Sequence, residues 1–168
     1  SSAASDVYKR QKHIVADGTL YGCTFALLNH GMSRYGVEVS FVDTSDLAAV
    51  KAALKENTCA VYLETPANPT MILVDLAEVA EIAHRHGVKV FVDNTFATPY
   101  NTNPLDLGVD VVIHSLTKYI GGHGDLLGGA VISNDTEFLR QCRLGTLMHF
   151  GAVMAPFTAF LILSLIHI

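Results

Sequence analysis

The chain has 168 residues, half of them hydrophobic, which is enough for one domain with a substantial core. The net charge of −5 and the lack of any Lys/Arg run argue against a nucleic-acid surface. Three widely spaced cysteines without a Cys-x-x-Cys pair favour a reduced, cytoplasmic protein over a disulfide scaffold. The longest apolar stretch, residues 155–168, is too short to cross a bilayer, so we predict a buried helix there and no membrane partner.

Short β-branched runs alternate with amphipathic segments along the chain, and the turns between them are short. This alternation predicts an α/β fold with a mostly parallel sheet flanked by helices on both faces. The predicted strands are 13–16, 37–42, 58–63, 88–92, 109–114 and 128–133. The predicted helices are 21–34, 45–54 with Ser45 as its N-cap, 75–86 and 135–147.

Two of the predicted strands end in residues that bear reactive groups. The fifth strand leads into Ser115, Thr117 and Lys118. Five glycines follow within residues 121–129, so backbone or ligand can approach closely there. The fourth strand ends at Asp93. Ligands of open α/β sheets bind outside the carboxyl ends of the strands, so we expect these groups to face one crevice.

A lysine, a carboxylate and two hydroxyls at one sheet edge are the groups that pyridoxal phosphate (PLP) requires. A lysine amine can form an imine with the cofactor's aldehyde, and hydroxyls can bind its phosphate. A carboxylate keeps the pyridine nitrogen protonated, so that the ring can accept electrons. The sequence therefore predicts a PLP site built on Lys118 and Asp93.

Other interpretations of these residues have less support. From position alone, a lysine at a strand end is more often a solvated charge than a catalyst. His114, His123 and Asp125 lack the i, i+4 spacing of a zinc site, so we predict no metal. No Gly-Lys-Ser/Thr follows the glycines, which argues against a nucleotide phosphate loop.

Four motifs, in the same order along the chain, resemble those of one enzyme family. They are YGCT at 21–24, ETPANPT at 64–70, VDNTF at 92–96 and HSLTKYIGGHGD at 114–125. On these motifs, residues 12–163 resemble the PLP-binding domain of the Cys/Met-metabolism, or trans-sulfuration, PLP-dependent enzymes. The resemblance implies the type I, aminotransferase-like large-domain fold, and a homodimer or homotetramer for the full-length protein.

The resemblance also implies roles for individual residues. Lys118 would form the Schiff base, and Asp93 would pair with the pyridine nitrogen. Ser115 and Thr117 would bind the phosphate. Tyr21 would stack on the cofactor ring and assist the leaving thiol.

Two further positions come only from the resemblance, and two depart from it. Asn68 would lie close to cofactor and substrate, and Cys23 matches a catalytic-site cysteine that the family's methionine-cleaving lyases carry beside the stacking tyrosine. Those lyases also have a Lys-Asp pair where this chain has Met148 and His149. This departure leaves the identity of the substrate open.

The activity that the resemblance implies is a PLP-dependent carbon–sulfur lyase. Its reaction would be γ-elimination on methionine or a related homoserine-derived amino acid, so its partner is a small sulfur-containing amino acid. The alternatives are cystathionine γ-lyase or γ-synthase activity, O-acetylhomoserine sulfhydrylase activity, and an inactive fragment.

The two ends of the chain differ from the rest. Residues 1–11 form neither a signal peptide nor a capped helix, and the chain stops within an apolar pattern. We interpret residues 1–11 as a leader outside the family that resembles translated adapter sequence. On this interpretation residues 12–163 are an incomplete PLP-binding domain, and residues 164–168 are a tail outside the family.

Overall fold

The computed structural model of the chain describes the backbone of residues 12–166 and the side chains of residues 12–163. The leader predicted at 1–11 lies outside the described residues, as do the last two residues of the predicted tail. The division of the chain into leader, domain and tail therefore stays a prediction.

A mixed sheet of six strands forms the centre of the described chain. Its strands are β1 (His13–Asp17), β2 (Glu38–Val42), β3 (Thr58–Glu64), β4 (Lys89–Asp93), β5 (Val111–Ser115) and β6 (Gly129–Ile132). Their order across the sheet is β2-β1-β3-β4-β5-β6. The first five strands run parallel, and β6 pairs antiparallel with β5 at the edge. The predicted mostly parallel α/β sheet is confirmed.

Helices connect the strands and cover the sheet. The first, α1 (Gly22–Ala26), continues through a π-helical turn at Leu27–Gly31 and a 3₁₀-helical turn at Met32–Tyr35. The others are α2 (Leu47–Ala53), α3 (Leu76–His84), α4 (Thr98–Asn101), α5 (Thr136–Gln141), α6 (Met148–Phe150) and α7 (Pro156–Ile166). A 3₁₀-helical turn at Pro104–Leu107 precedes β5, and a π-helical turn at Cys142–Leu147 joins α5 to α6.

Aspartates cap three of the helices. Asp75 caps α3 and Asp135 caps α5, each at the residue where the predicted helix begins and each accepting a hydrogen bond from a backbone N–H of the first turn. For α2 the predicted N-cap, Ser45, is wrong. The cap is Asp46, whose carboxylate accepts from two backbone N–H groups at 2.9 and 3.3 Å. The Ser45 hydroxyl instead donates to Asp43, which lies two residues before it.

A hydrophobic layer covers each face of the sheet. On one face, the fully buried Val61 and Val90 pack against Val79 of α3. On the other face, Phe25 of α1 packs on Phe41 of β2 with ring centroids 4.4 Å apart. Helices therefore cover both faces, as the alternating pattern predicts.

The C-terminal helix α7 is more exposed than the sequence predicts. Phe157 and Phe160 stack on each other, with centroids 6.4 Å apart, and are 70% and 65% exposed. Ile162 is buried. The prediction of a buried helix is thus wrong for these two aromatic side chains, because apolar composition does not specify the surface that would cover it. Within residues 12–166, no helix is long and apolar enough to cross a membrane.

Candidate active site

The parallel strand order brings the carboxyl ends of β3, β4 and β5 side by side. Glu64 is the register partner of Asp93, and Asp93 is the partner of Ile113. Side chains alternate along a strand, so Glu64, Asp93 and Ser115 project to the sheet face that α1 covers. Two carboxyl groups and a hydroxyl therefore meet at one edge of the sheet.

A cavity of about 190 Å³ lies at this edge. Asp93 and Ser115 are partly buried, whereas Lys118, Tyr21 and Asn68 are exposed. Five of the seven predicted site residues thus surround one cavity. The lining residues are Tyr21, Glu64, Asn68, Asp93, Thr95, Phe96, Ser115, Lys118 and Tyr119.

A larger groove of about 470 Å³ lies close to this cavity and shares Phe96 with it. Its other lining side chains are mostly apolar, including the exposed Met71 and Leu73, and Asp75 already caps α3. The groove has no lysine among its lining residues. Because a lysine and two carboxyl groups line the smaller cavity, we assign the candidate active site there.

A chain of hydrogen bonds links Asp93 to the turn that carries Lys118. The backbone N–H of Thr95 donates to Asp93 Oδ1 at 3.0 Å, and the Thr95 hydroxyl accepts from the Ser115 N–H at 2.8 Å. The Lys118 N–H then donates to the Ser115 carbonyl at 3.2 Å. The carboxylate, the hydroxyl and the lysine are therefore fixed relative to one another through the backbone.

The turn after Lys118 is closed by a glycine that admits no side chain. Gly121 N–H donates to the Leu116 carbonyl at 2.7 Å, and Gly122 N–H donates to the Lys118 carbonyl at 2.8 Å. A Cβ at Gly121 would lie 2.4 Å from the Leu116 oxygen, which is backbone and cannot swing away. The glycine thus allows the close approach that holds the lysine turn.

We expect Gly121→Ala in the full-length protein to lower stability by about 1–3 kcal/mol and to weaken PLP binding at least tenfold. The cause is displacement of the turn that presents Lys118. The measurements are the thermal midpoint and the PLP dissociation constant. Gly145→Ala is the matched control, because a Cβ there meets nothing within 4 Å. Equal behaviour of the two variants would contradict this account of the turn.

Two predicted site residues do not line the cavity. The Thr117 hydroxyl accepts from the Gly128 N–H at 3.0 Å and donates to the Gly128 carbonyl at 3.3 Å. It therefore ties the lysine turn to the start of β6. Cys23 is exposed on the first turn of α1, two residues from Tyr21.

Burial changes the acid–base properties of two groups on β3. Burial raises the pKa of Glu64, and the neighbouring Asp93 carboxylate raises it further. Burial also raises the pKa of Tyr62, whose hydroxyl hydrogen-bonds the Thr24 side chain. Both groups are therefore harder to ionise at this edge than they would be in water.

Four lining residues were not predicted as site residues. Phe96 and Tyr119 meet edge to face with centroids 6.1 Å apart and form the apolar wall of the cavity. Glu64 and Thr95 lie within the motifs ETPANPT and VDNTF, so a signal for both was present in the sequence. The strand register, which the sequence does not show, places them beside Asp93 and Ser115.

His114 does not line the cavity. Its ring is buried on the opposite side of β5 from Ser115, and burial lowers its pKa, so the neutral imidazole is favoured. Its Nδ1 has no hydrogen-bond partner among the described residues. Between residues 12 and 166, no three His, Cys, Asp or Glu side chains are grouped so as to hold a metal ion.

Comparison with known proteins identifies the family. The model for Cys/Met metabolism PLP-dependent enzymes matches residues 1–166. The chain belongs to this Cys/Met-metabolism PLP-dependent family. L-methionine γ-lyases from Treponema denticola and Porphyromonas gingivalis are 59% and 54% identical to the chain over 153 and 164 residues. These matches cover 89% and 96% of this chain, but only 38% and 41% of the two relatives.

Two solved structures have the same fold as this chain. The crystal structure of metB from Corynebacterium glutamicum superposes with a TM-score of 0.90 at 40% identity, covering 98% of this chain and 44% of that one. Cystathionine γ-lyase from Lactobacillus plantarum, solved with L-serine, gives a TM-score of 0.86 at 40% identity, with the same coverage. The predicted type I fold is confirmed.

The donor groups of the cavity fit the family's cofactor. PLP has an aldehyde, a phosphate, a pyridine nitrogen and a flat ring. Lys118 offers an amine, Ser115 a hydroxyl and Asp93 a carboxylate, while Tyr21 and Phe96 offer aromatic faces. The cavity is smaller than the roughly 300 Å³ at which ligand pockets usually begin.

Proposed function

We propose that the protein is a PLP-dependent carbon–sulfur lyase that acts by γ-elimination on methionine. The observation that carries this proposal is the grouping of Lys118, Asp93 and Tyr21 around one cavity in a chain of this family. Relatives at 54% and 59% identity are methionine γ-lyases, which supports the choice of reaction. The chain spans about two fifths of the length of these relatives, so the experiments below use the full-length gene product.

Four residues that line the cavity would bind or activate the cofactor and substrate. Lys118 Nζ would bond the cofactor and serve as the base that removes the substrate's α proton. Asp93 would hold a proton on the pyridine nitrogen, and Ser115 would bind phosphate. When bound, the cofactor supplies an electron sink for the substrate's α carbon. Asn68 would contact cofactor and substrate.

Tyr21, Thr117 and Cys23 complete the set of proposed site residues. Tyr21 would face the cofactor ring and donate a proton to the departing sulfur. Thr117 is proposed to bind phosphate, although its hydroxyl contacts the Gly128 backbone, so it would have to share or exchange those hydrogen bonds. Cys23 is proposed as a third catalytic residue, although its side chain is exposed and does not line the cavity.

We also propose the extent of the domain, and the location and oligomeric state of the full-length protein. Residues 12–163 would form an incomplete PLP-binding domain, and the full-length protein would be a cytoplasmic homodimer or homotetramer. The exposed rim at Tyr21, Asn68 and Lys118 supports this assembly, because a site open on one side needs further chain to exclude water.

A second candidate is a reaction on cystathionine or an acylated homoserine. A probable cystathionine γ-synthase from Herpetosiphon aurantiacus and a cystathionine γ-lyase from Bacillus subtilis are 41% and 40% identical to the chain. Met148 and His149, which replace the Lys-Asp pair expected of a methionine-cleaving lyase, also favour this candidate.

Product analysis distinguishes the two candidates. The full-length protein, supplied with PLP, is incubated with L-methionine, L-cystathionine, or O-acetyl-L-homoserine plus a thiol. We expect methionine and water to give equal amounts of methanethiol, 2-oxobutyrate and ammonia. Formation of thioether from acetylhomoserine, with no 2-oxobutyrate from methionine, would overturn the proposed lyase in favour of a synthase.

A further inference from the structure

Glu64 is a buried acid at the cavity to which the proposed reaction gives no task. It is only 5% exposed and lies beside its register partner Asp93. A buried carboxyl is costly unless hydrogen bonds compensate for the lost water. Near a second carboxylate that cost rises further, which agrees with the raised pKa of Glu64.

Two backbone segments compensate for the burial of the Glu64 carboxyl. The backbone N–H of Tyr21 donates to Glu64 Oε2 at 2.9 Å. The backbone of Asn68 also lowers the pKa of this carboxyl by stabilising its ionised form. One side chain from β3 therefore joins the start of α1 to the proline-rich turn that follows β3.

A second contact supports the same arrangement. Tyr62, two residues earlier on β3 and on the same face, interacts with the Thr24 side chain on the first turn of α1, which lowers the pKa of the Tyr62 phenol against the larger effect of burial. The α1 start is thus tied to β3 at two points. The Glu64 contact is the one of these two that involves residues lining the cavity, Tyr21 and Asn68.

We propose that Glu64 is a positioning residue that sets Tyr21 and Asn68 at the mouth of the cavity. It does so by accepting their backbone N–H groups, without itself touching the reacting atoms. This proposal rests on the proposed function, because the catalytic value of placing Tyr21 depends on the role assigned to its phenol.

The first test measures position in the absence of cofactor. Amide hydrogen exchange is followed at Tyr21 and Asn68 in the cofactor-free full-length protein. In Glu64→Ala, we expect both amides to exchange about 10- to 100-fold faster, because a hydrogen bond to an acid side chain is lost. Glu56→Ala, at an exposed turn, is the control and should leave both amides unchanged. Unchanged exchange in Glu64→Ala would overturn the proposal.

A second variant keeps the test decisive if Glu64→Ala fails to fold. Glu64→Gln preserves the side-chain volume but replaces the carboxyl with a neutral amide, whose oxygen accepts weaker hydrogen bonds than a carboxylate does and whose NH₂ group cannot accept any. At least one of the Tyr21 and Asn68 amides should therefore exchange faster than in the unaltered protein. If both amides keep their protection in folded Glu64→Gln, the two contacts do not depend on the carboxyl, and the proposal is wrong.

The kinetic test separates positioning from binding. With PLP added, Glu64→Ala should bind the cofactor with its visible absorbance intact, while kcat falls about 10- to 100-fold and KM changes little. A kcat within twofold of the unaltered protein would contradict the positioning role. Failure of the proposed function would appear differently, as absence of thiol release from the unaltered protein, and would leave the exchange result in place.

Discussion

Lys118→Ala in the full-length protein is expected to lower turnover by at least about 10³-fold. The variant loses the amine that bonds the cofactor and also the base that moves the substrate's protons, and proton transfer alone typically contributes 10²- to 10⁴-fold. The measurement is kcat for thiol release, together with the visible absorbance of bound PLP, which should disappear.

The fold should survive this change. Lys118 is exposed, and the hydrogen bond from its backbone N–H to Ser115 remains available to alanine. Lys51→Ala, an exposed lysine on α2, is the matched control and should retain full activity and absorbance. If Lys118→Ala turns over within tenfold of the unaltered protein, the role assigned to this lysine is wrong.

Asp93→Asn is expected to lower turnover by about 10- to 10³-fold. A nearby carboxylate typically shifts the pKa of its partner by one to three units, about 1.4–4 kcal/mol, and a neutral amide no longer favours the protonated pyridine nitrogen. The asparagine oxygen can still accept from the Thr95 N–H, so the local structure should persist. The readouts are kcat and exchange of the substrate's α proton with deuterated solvent.

A control separates the charge effect from general damage. Asp106→Asn changes an exposed aspartate in the turn before β5 and should leave both rates unaltered. An unchanged rate of α-proton exchange in Asp93→Asn would show that Asp93 has only a structural role and does not keep the pyridine nitrogen protonated.

The core of the site was predictable from the sequence because it depends on strand ends. Asp93 and Lys118 each follow a short β-branched run, and parallel strands place their carboxyl ends at one edge. The structure confirms that β4 and β5 are neighbours. The sequence could therefore predict that these two residues lie near each other. The prediction depends only on the alternation of strands and helices and on the polar residues that follow the strands.

Contacts that depend on register and packing were not predictable. The predicted third strand stops at residue 63, yet Glu64 belongs to β3 and ends it beside Asp93. Ser45 and Asp46 are both good capping residues, and the chain geometry selects Asp46. The exposure of Phe157 and Phe160 depends on surfaces that an apolar pattern does not specify. In each case local preference was ambiguous and tertiary structure decided.

The most direct test of the central claim is to map the attachment site of the cofactor. The full-length protein is saturated with PLP, reduced with borohydride, digested and analysed by mass spectrometry. Reduction makes the bond between a lysine amine and the cofactor permanent. The account predicts one pyridoxyl group per chain, attached to Lys118. Stoichiometric labelling of a different lysine, or no labelling of folded protein, would contradict it.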